Sequence, residues 1–522
     1  MATAPGGARR AGLPWFARHP ATSGAAAALI AMAAGELAGA VDRMTPSLLV
    51  SLGQAVIDRA PPRAKDAAIA TFGTADKPLL VVAMVVVTLL IGAALGRQVR
   101  ARPRVAVAAC VAGGVVLTWP ALTRTNGSPA AVVLAGLATV AAGLAALGLF
   151  LAVPQPVSAA ESDGATDGTG RRGALRAIGQ GAVVVALAGG TGRFLARFAS
   201  GGAPAVSLPG PAQALGRPPP SVSFSGVSGL TPLFTPNDRF YRIDTALVVP
   251  RVDLGTWRLR VGGLVERPLE LTFDELVALS DTEADVTLSC VSNEVGGSLA
   301  GNARWQGVAL ATLLERAGVR PEGTQVVGRS VDGWTGGFPT ELASDGRPAL
   351  VAVGMNGEGL PYAHGFPARL VVGGLYGYVS ATKWLQEIEL TTFEGFDAYW
   401  VPRGWDKLGP VEIQSRIDTP RHGAELSRGR QTLAGMAWAP PSGVSAVDVA
   451  VDGGPWEPAI LAGELSPYTW RQWRYDWVAT PGPHRVAVRA TDADGTVQTA
   501  QRRRPRPGGA TGHHVITLRV RE

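Results

Sequence analysis

Long apolar runs fill the first two hundred residues, and short alternating runs fill the remainder. Four stretches, 22–41, 78–96, 105–122 and 130–153, have the length and apolarity of membrane-spanning helices. A fifth, 173–199, is apolar between Arg176 and Arg193. The stretch 46–57 is apolar but too short to span, and reads as a re-entrant or interfacial piece. From 201 to 221 the chain turns to Pro, Gly, Ala and Ser, including Pro218-Pro219-Pro220, the pattern of an extended tether. Beyond it, Trp257-Arg258-Leu259-Arg260-Val261 alternates as a strand does, and 368–372 reads as a near-continuous apolar strand. Two helical patches stand between: 272–279, where Thr272 and Glu275 have capping-box spacing, and 310–317, apolar at helical spacing. This mixture predicts an α+β domain over 222–412. After 412 helical patterns stop. Strands are predicted at 432–438, 444–451, 474–479 and 484–490, with turns at Asp452-Gly453-Gly454, Pro481-Gly482 and Asp494-Gly495. That spacing predicts a β-sandwich over 413–522. The whole reads as a five-helix transmembrane bundle over 1–200, a linker over 201–221 and two further domains.

Charge placement orients the bundle. Arg9, Arg10 and Arg18 precede the first span, Arg97, Arg100, Arg102 and Arg104 crowd the second-to-third connection, and Arg171, Arg172 and Arg176 precede the fifth. The alternate connections are balanced or sparse in charge. The positive-inside rule therefore predicts a cytoplasmic N-terminus, and five spans then place everything after about residue 200 outside. Arg171-Arg172 before a Gly/Ala-rich span also resembles a twin-arginine export signal, with ordinary positive-inside arginines as the plain alternative. Across its 522 residues the chain is 47% apolar and only 17% charged, with a net charge of +7. The arginines are scattered or flank apolar runs, with no basic-aromatic face, which argues against nucleic-acid binding. No histidine occurs between His19 and His364, which excludes bis-histidine haem in these spans. Glu36 is the one acid well inside a span, and either has a function there or reaches the interface.

Two cysteines, Cys110 and Cys290, rule out a disulfide framework and any cysteine-cluster metal site. Cys110 lies in an apolar helix and reads as packing. Cys290 lies where an apolar run meets a polar, Gly-rich loop, and three roles are open to it: inert thiol, nucleophile, or single thiolate ligand to a metal. A second cluster reads His364-Gly365-Phe366-Pro367-Ala368-Arg369, then Gly373-Gly374-Leu375-Tyr376-Gly377, then Ser380-Ala381-Thr382-Lys383-Trp384. It offers a planar guanidinium, an ammonium, hydroxyls and Gly-turn amides, the makings of an anion site. Trp470, Trp473 and Trp477 read as core or interface aromatics. His422 and His484 read as surface or turn residues, and the adjacent His513 and His514 should face opposite sides of a strand.

Cys290 in its loop, the His-Gly-x-Pro-x-Arg segment, Lys383-Trp384 and the upstream Pro236-Asn237-Asp238-Arg239-Phe240-Tyr241 together resemble the sulfite oxidase family of molybdopterin enzymes. The resemblance runs from about residue 231 to the C-terminus, where the sandwich is similar to the family's immunoglobulin-like domain. It implies molybdenum held by one pterin, with Cys290 as the protein ligand. His364, Arg369, Lys383, Ala381 and Thr382 would hold the pterin and its phosphate, with Asn237, Phe240, Tyr241 and Ser330 completing the site. It also implies a separate redox partner, cytochrome or quinone-linked, and a homodimer through the sandwich. Two departures bear on the substrate. Asp244 stands where sulfite-oxidising members carry a pocket arginine, with Arg242 two residues away, and Trp334 is nearest to their pocket tyrosine. The expected reaction is oxygen-atom transfer on a small S-oxide, N-oxide or oxyanion other than sulfite, with no haem in this chain. The alternatives are a non-catalytic binding scaffold of the same fold and a regulatory domain of a membrane transporter.

Overall fold

The computed structural model describes residues 19–41, 45, 47–61, 64, 71, 76–99, 101–123, 128–151 and 206–522. The fifth expected span, 173–199, and the paired Arg171 and Arg172 lie outside them. The chain divides into two units, Met1–Ser200 with Ala246–Val249, and Gly201–Thr245 with Pro250–Glu522.

In the first unit, α1 (Pro20–Ala38), α3 (Asp76–Gln98), α4 (Pro103–Leu122) and α5 (Pro129–Leu151) form where the apolar runs predicted helices. These four are long and apolar enough to cross a membrane. Helix α2 (Leu48–Arg59), of 12 residues, is too short to do so and is capped by the Ser47 hydroxyl, which accepts from Val50 N at 3.2 Å. Helices α1 and α3 meet backbone to backbone. A Cβ at Gly24 would stand 2.0 Å from the Gly92 carbonyl, so only glycine permits this approach. Val86, Leu90, Ile91, Val115 and Trp119 are exposed, as residues facing lipid would be.

The second unit opens with residues 206–221. They run extended, as a tether would, but they are pinned. Gln213 bridges to Thr282, Gln306 Nε2 donates to Pro209 O at 2.8 Å, and Arg304 Nη1 donates to Leu215 O at 2.8 Å. Strands β1 (Leu259–Gly263), β2 (Leu269–Leu271), β3 (Thr282–Ser289), β4 (Ala300–Ala309), β5 (Gln325–Ser330), β6 (Thr335–Pro339), β7 (Ala349–Met355), β8 (Glu358–Gly359), β9 (Arg369–Val372) and β10 (Leu385–Thr391) form two sheets, ordered β2-β1-β10-β5-β6 and β3-β4-β7-β8, with β9 on β7. Helices α6 (Phe273–Ala278), α7 (Leu310–Ala317) and the one-turn α8 (Gly377–Ser380) complete a mixed α/β domain. The expected capping box is present: the Thr272 hydroxyl accepts from Glu275 N at 3.2 Å while Glu275 accepts from Thr272 N at 2.8 Å. One apolar core, with Trp305, Leu288, Leu310 and Phe338 fully buried, joins both sheets.

The C-terminal residues form β11 (Gln414–Thr419), β12 (Glu425–Ser427), β13 (Gly429–Trp438), β14 (Val444–Val451), β15 (Glu457–Pro458), β16 (Ile460–Leu461), β17 (Arg471–Ala479), β18 (Gly482–Asp492) and β19 (His514–Arg521). They make two sheets, β11-β13-β17-β16 and β12-β19-β18-β14-β15. Alternation explains their burial: Val486, Val488 and Ala490 of β18 point inward and share a cluster with Leu433, Trp473 and Trp477 of the other sheet.

His514 opens β19, and its Nδ1 accepts from Ile417 N at 3.0 Å. Burial, with Arg416 close by, pushes its pKa from 6.5 down to about 4; Asp418 opposes the shift, while His422 and Arg502 add to it. The folded state therefore binds fewer protons than the unfolded chain between these values. Stability is full above pH 6.5 and falls as pH drops through the window, by about 3 kcal/mol in all. His514→Gln keeps an acceptor without the titration. Pulse proteolysis of the full chain in urea, read within 413–522, should show a smaller loss between pH 7 and pH 4.5 in the variant than in the parent.

Candidate active site

The β3–β4 hairpin ends in a ten-residue loop, 290–299, and Cys290 is its first residue. Cys290 N donates to Leu299 O and Asn293 N to Cys290 O, both at 2.9 Å, while the Asn293 side chain accepts from Leu299 N at 2.8 Å. The thiol is buried, and burial pushes its pKa up; hydrogen bonds from Ser292 and the charge of Lys383 act the other way.

The second cluster packs against this loop's domain core. A turn at Tyr362–His364 passes through Gly365, whose φ is +115° and where a Cβ would meet the Lys383 Cα at 3.1 Å. Arg369 then starts β9. Its guanidinium is 3% exposed, lies 4.9 Å over the Trp305 ring and donates to His364 O at 3.0 Å. Among the described residues it has no carboxylate partner. Burial pulls its pKa down to about 10.

His364 Nε2 stands 2.7 Å from Asn237 O, and a carbonyl can only accept, so this nitrogen carries the proton. Burial, and then the charge of Lys383, push its pKa down to about 4, leaving a neutral ring. Its Nδ1 is a buried acceptor with no partner among the described residues. Phe240 presents its ring to His364 at 5.6 Å and stacks on Tyr241 at 5.3 Å. Burial and the neighbouring Cys290 raise the Tyr241 hydroxyl well above its usual range, so it stays protonated.

Lys383 Nζ donates to Asp244 Oδ2 and to Ala363 O, both at 3.1 Å, and burial pulls its pKa down to about 8. The Asp244 side chain is only 5% exposed and also accepts from Arg242 Nε at 2.9 Å. The 330–334 turn lies near this pair. Asp332 accepts from Trp334 N at 3.0 Å, and its carboxyl is raised by burial and by the charge of Asp244. The Ser330 hydroxyl accepts from Asp332 N at 3.3 Å.

The structure thus gathers Cys290, Tyr241, Arg242, Asp244, Asp332, His364, Arg369 and Lys383 into one electrostatically connected cluster. Other expected residues are engaged within the protein. The Asn237 side chain accepts from Asn356 Nδ2 at 2.8 Å and donates to Met355 O at 3.2 Å. Ala381 N donates to Gly377 O, and Thr382 Oγ1 faces Gly328 O at 3.5 Å. The Gly373-Gly374 turn corrects its expectation as a source of anion-binding amides. Both residues are buried, Gly373 N donates to Pro348 O at 2.8 Å, and the lack of a Cβ there makes room for Tyr468. Asp332 and Tyr376 had no assigned role in the sequence. Tyr376 is 3% exposed, its hydroxyl accepts from Glu412 N at 3.3 Å, and no local pattern distinguishes it from a core aromatic.

Among the described residues no group of three or more His, Cys, Asp or Glu could hold a metal alone. One buried thiol fits a metal whose other ligands come from an organic cofactor. A guanidinium with no carboxylate partner among the described residues, an ammonium and an orphaned imidazole acceptor fit a cofactor bearing both a phosphate and a heterocyclic N–H.

Comparison with known proteins gives a consistent picture. The oxidoreductase molybdopterin binding domain matches residues 246–400. Mitochondrial sulfite oxidase of Mus musculus is 31% identical over 304 residues, covering 49% of this chain and 54% of that protein. The uncharacterized oxidoreductase YuiH of Bacillus subtilis is 36% identical over 159 residues, covering 30% of this chain and 76% of that protein. NADH nitrate reductase of Solanum lycopersicum is 29% identical over 308 residues, 47% of this chain and 34% of that protein. The chain spans about half the length of the curated sulfite oxidases it matches.

Proposed function

The chain belongs to the sulfite oxidase family of molybdenum-dependent oxidoreductases, and from that membership we propose that it reduces a small uncharged S-oxide or N-oxide at the Cys290 cluster. When bound, the molybdopterin cofactor supplies two-electron oxygen-atom transfer, so that an S-oxide, two electrons and two protons give the sulfide and water. Cys290 would be the protein's ligand to molybdenum. Arg369 and Lys383 would hold the pterin phosphate, and His364 Nδ1 would accept a hydrogen bond from the cofactor. Tyr241, protonated throughout the working range, would donate a hydrogen bond into the site. Trp334 and Arg242 line the approach.

The observation that carries the substrate class is Asp244. Its carboxylate is buried against Lys383 and Arg242, with Asp332 nearby. The relatives named for their substrates act on sulfite and nitrate, both anions. Here Asp244 is ion-paired to both Lys383 and Arg242, so the cations beside it are already neutralised and Arg242 has no free charge to offer an anionic substrate. A molybdenum-loaded full chain in detergent, supplied with a reduced dye, should turn over dimethyl sulfoxide or trimethylamine N-oxide and leave sulfite unoxidised. Sulfite oxidation at comparable kcat/KM sinks this reading. Asp244→Asn removes the carboxylate that neutralises Arg242 and Lys383, and sulfite should then inhibit at least about tenfold more strongly than in the parent.

The apolar helices make membrane attachment the natural setting. In this reading the N-terminus is cytoplasmic, the catalytic domain is extracytoplasmic, and a cytochrome or quinone-linked partner delivers electrons singly. The C-terminal sheets, read as an immunoglobulin-like sandwich, pair two copies of the chain. Protease added outside intact cells should then cleave within 206–522.

A further inference from the structure

We propose that Arg416, carried by the C-terminal two-sheet domain, is a positioning residue for Cys290. The inner end of the 290–299 loop is set by the hairpin, where Ser289 pairs with Ala300. Its outer end has no strand to hold it, and the C-terminal domain grips it instead. Arg416 Nη1 donates to Gly297 O at 2.9 Å. Gly296, at φ +79°, lies against His514 so closely that a Cβ would stand 2.3 Å from the ring. The Arg416 fork is fully committed: Nε donates to Asp418 Oδ1 at 2.6 Å, Nη2 to Thr231 Oγ1 at 3.1 Å, and the guanidinium lies 5.9 Å from the Trp470 ring centroid. It is 7% exposed. A planar guanidinium fixed on three sides is a rigid post, and a charged donor to a carbonyl holds more strongly than a neutral one. From Gly297 the constraint passes back through Glu294, whose carbonyl accepts from Gly297 N at 2.8 Å, to Asn293 and the Cys290 carbonyl. The C-terminal domain thereby orients the thiol across the sheet boundary. Its bearing on metal binding rests on the proposed ligation by Cys290; the clamp itself does not.

The test uses the full chain with Cys110→Ala, so that Cys290 is the sole thiol, produced cofactor-free in a host unable to make the pterin. Arg416→Ala should raise the rate of Cys290 alkylation by iodoacetamide roughly tenfold to a hundredfold. Arg416→Lys, which keeps the charge but not the fork, should fall between. Gln472→Ala removes two bonds across the same boundary, to Thr231 O at 2.9 Å and from Phe224 N at 2.6 Å, without touching the loop, and should leave the rate unchanged. If Arg416→Ala does not fold, Arg416→Lys against Gln472→Ala carries the comparison alone. An Arg416→Ala rate within twofold of the parent overturns the proposal, as does an equal rise in Gln472→Ala. In the loaded enzyme the thiolate-to-metal absorption should shift in Arg416→Ala, a change that loss of stability alone does not produce. Should Cys290→Ser keep its metal spectrum, the ligation reading fails while the alkylation result stands.

Discussion

Replacing Cys290 by serine should lower turnover by more than about a hundredfold while the fold and most of the bound pterin remain. Changes to groups one shell away from a metal already cost about ten- to a hundredfold, and this change removes the proposed ligand itself. The fold should tolerate it, because Cys290 is held through its backbone: its N–H and carbonyl make the loop's bonds, and serine makes the same ones. The pterin should persist because its proposed contacts, Arg369, Lys383 and His364, come from other segments. The measurements are dye-linked turnover, the thiolate-to-metal absorption band and pterin fluorescence after oxidative release. Parental turnover in the variant would return Cys290 to the role of an inert buried thiol.

Arg369→Met should separate stability from cofactor binding. A buried guanidinium without a carboxylate partner is a cost to the folded chain, visible in its pKa of about 10. Methionine fills much of the same space over Trp305 and carries no charge. Losing the bond to the His364 carbonyl offsets part of the gain. The cofactor-free variant should therefore be more stable than the cofactor-free parent by about 1–2 kcal/mol, read as the urea midpoint. Pterin retention should fall about tenfold to a hundredfold through the lost charge-assisted contact. A variant that is less stable without cofactor, or that retains pterin fully, would remove Arg369 from the binding site.

Together these experiments separate the parts of the site that the chain can build locally from those that need distant segments. Cys290 at the end of a strand, the Thr272–Glu275 box, the four long helices and the inward face of β18 all follow from neighbours within a few positions. Each such pattern has a period of 2 or 3.6, and the backbone enforces it locally. His364 and Arg369 belong to this class too, since one turn and the start of β9 bring the guanidinium to the His364 carbonyl.

What tertiary structure decided lies at large separation along the chain. Asp244 meets Lys383 across 139 positions, and Arg416 meets Gly297 across 119. Neither pair shares an element, and only the folding of distant segments against one another sets their distance. The Gly373-Gly374 turn looked like a set of free amides because sequence shows composition but not which carbonyl faces an N–H; Pro348 and Tyr468 fill that place from elsewhere. The Pro/Gly stretch before the catalytic domain looked free for the same reason, and it is pinned by Thr282, Gln306 and Arg304. By itself the sequence determined the elements, their apolar faces and the residue types available for chemistry, because these are local properties of the backbone and side chains. The tertiary structure decided which charges neutralise one another and which domain holds the cysteine loop, because Coulomb and hydrogen-bond energies depend on distances that only the folded chain sets.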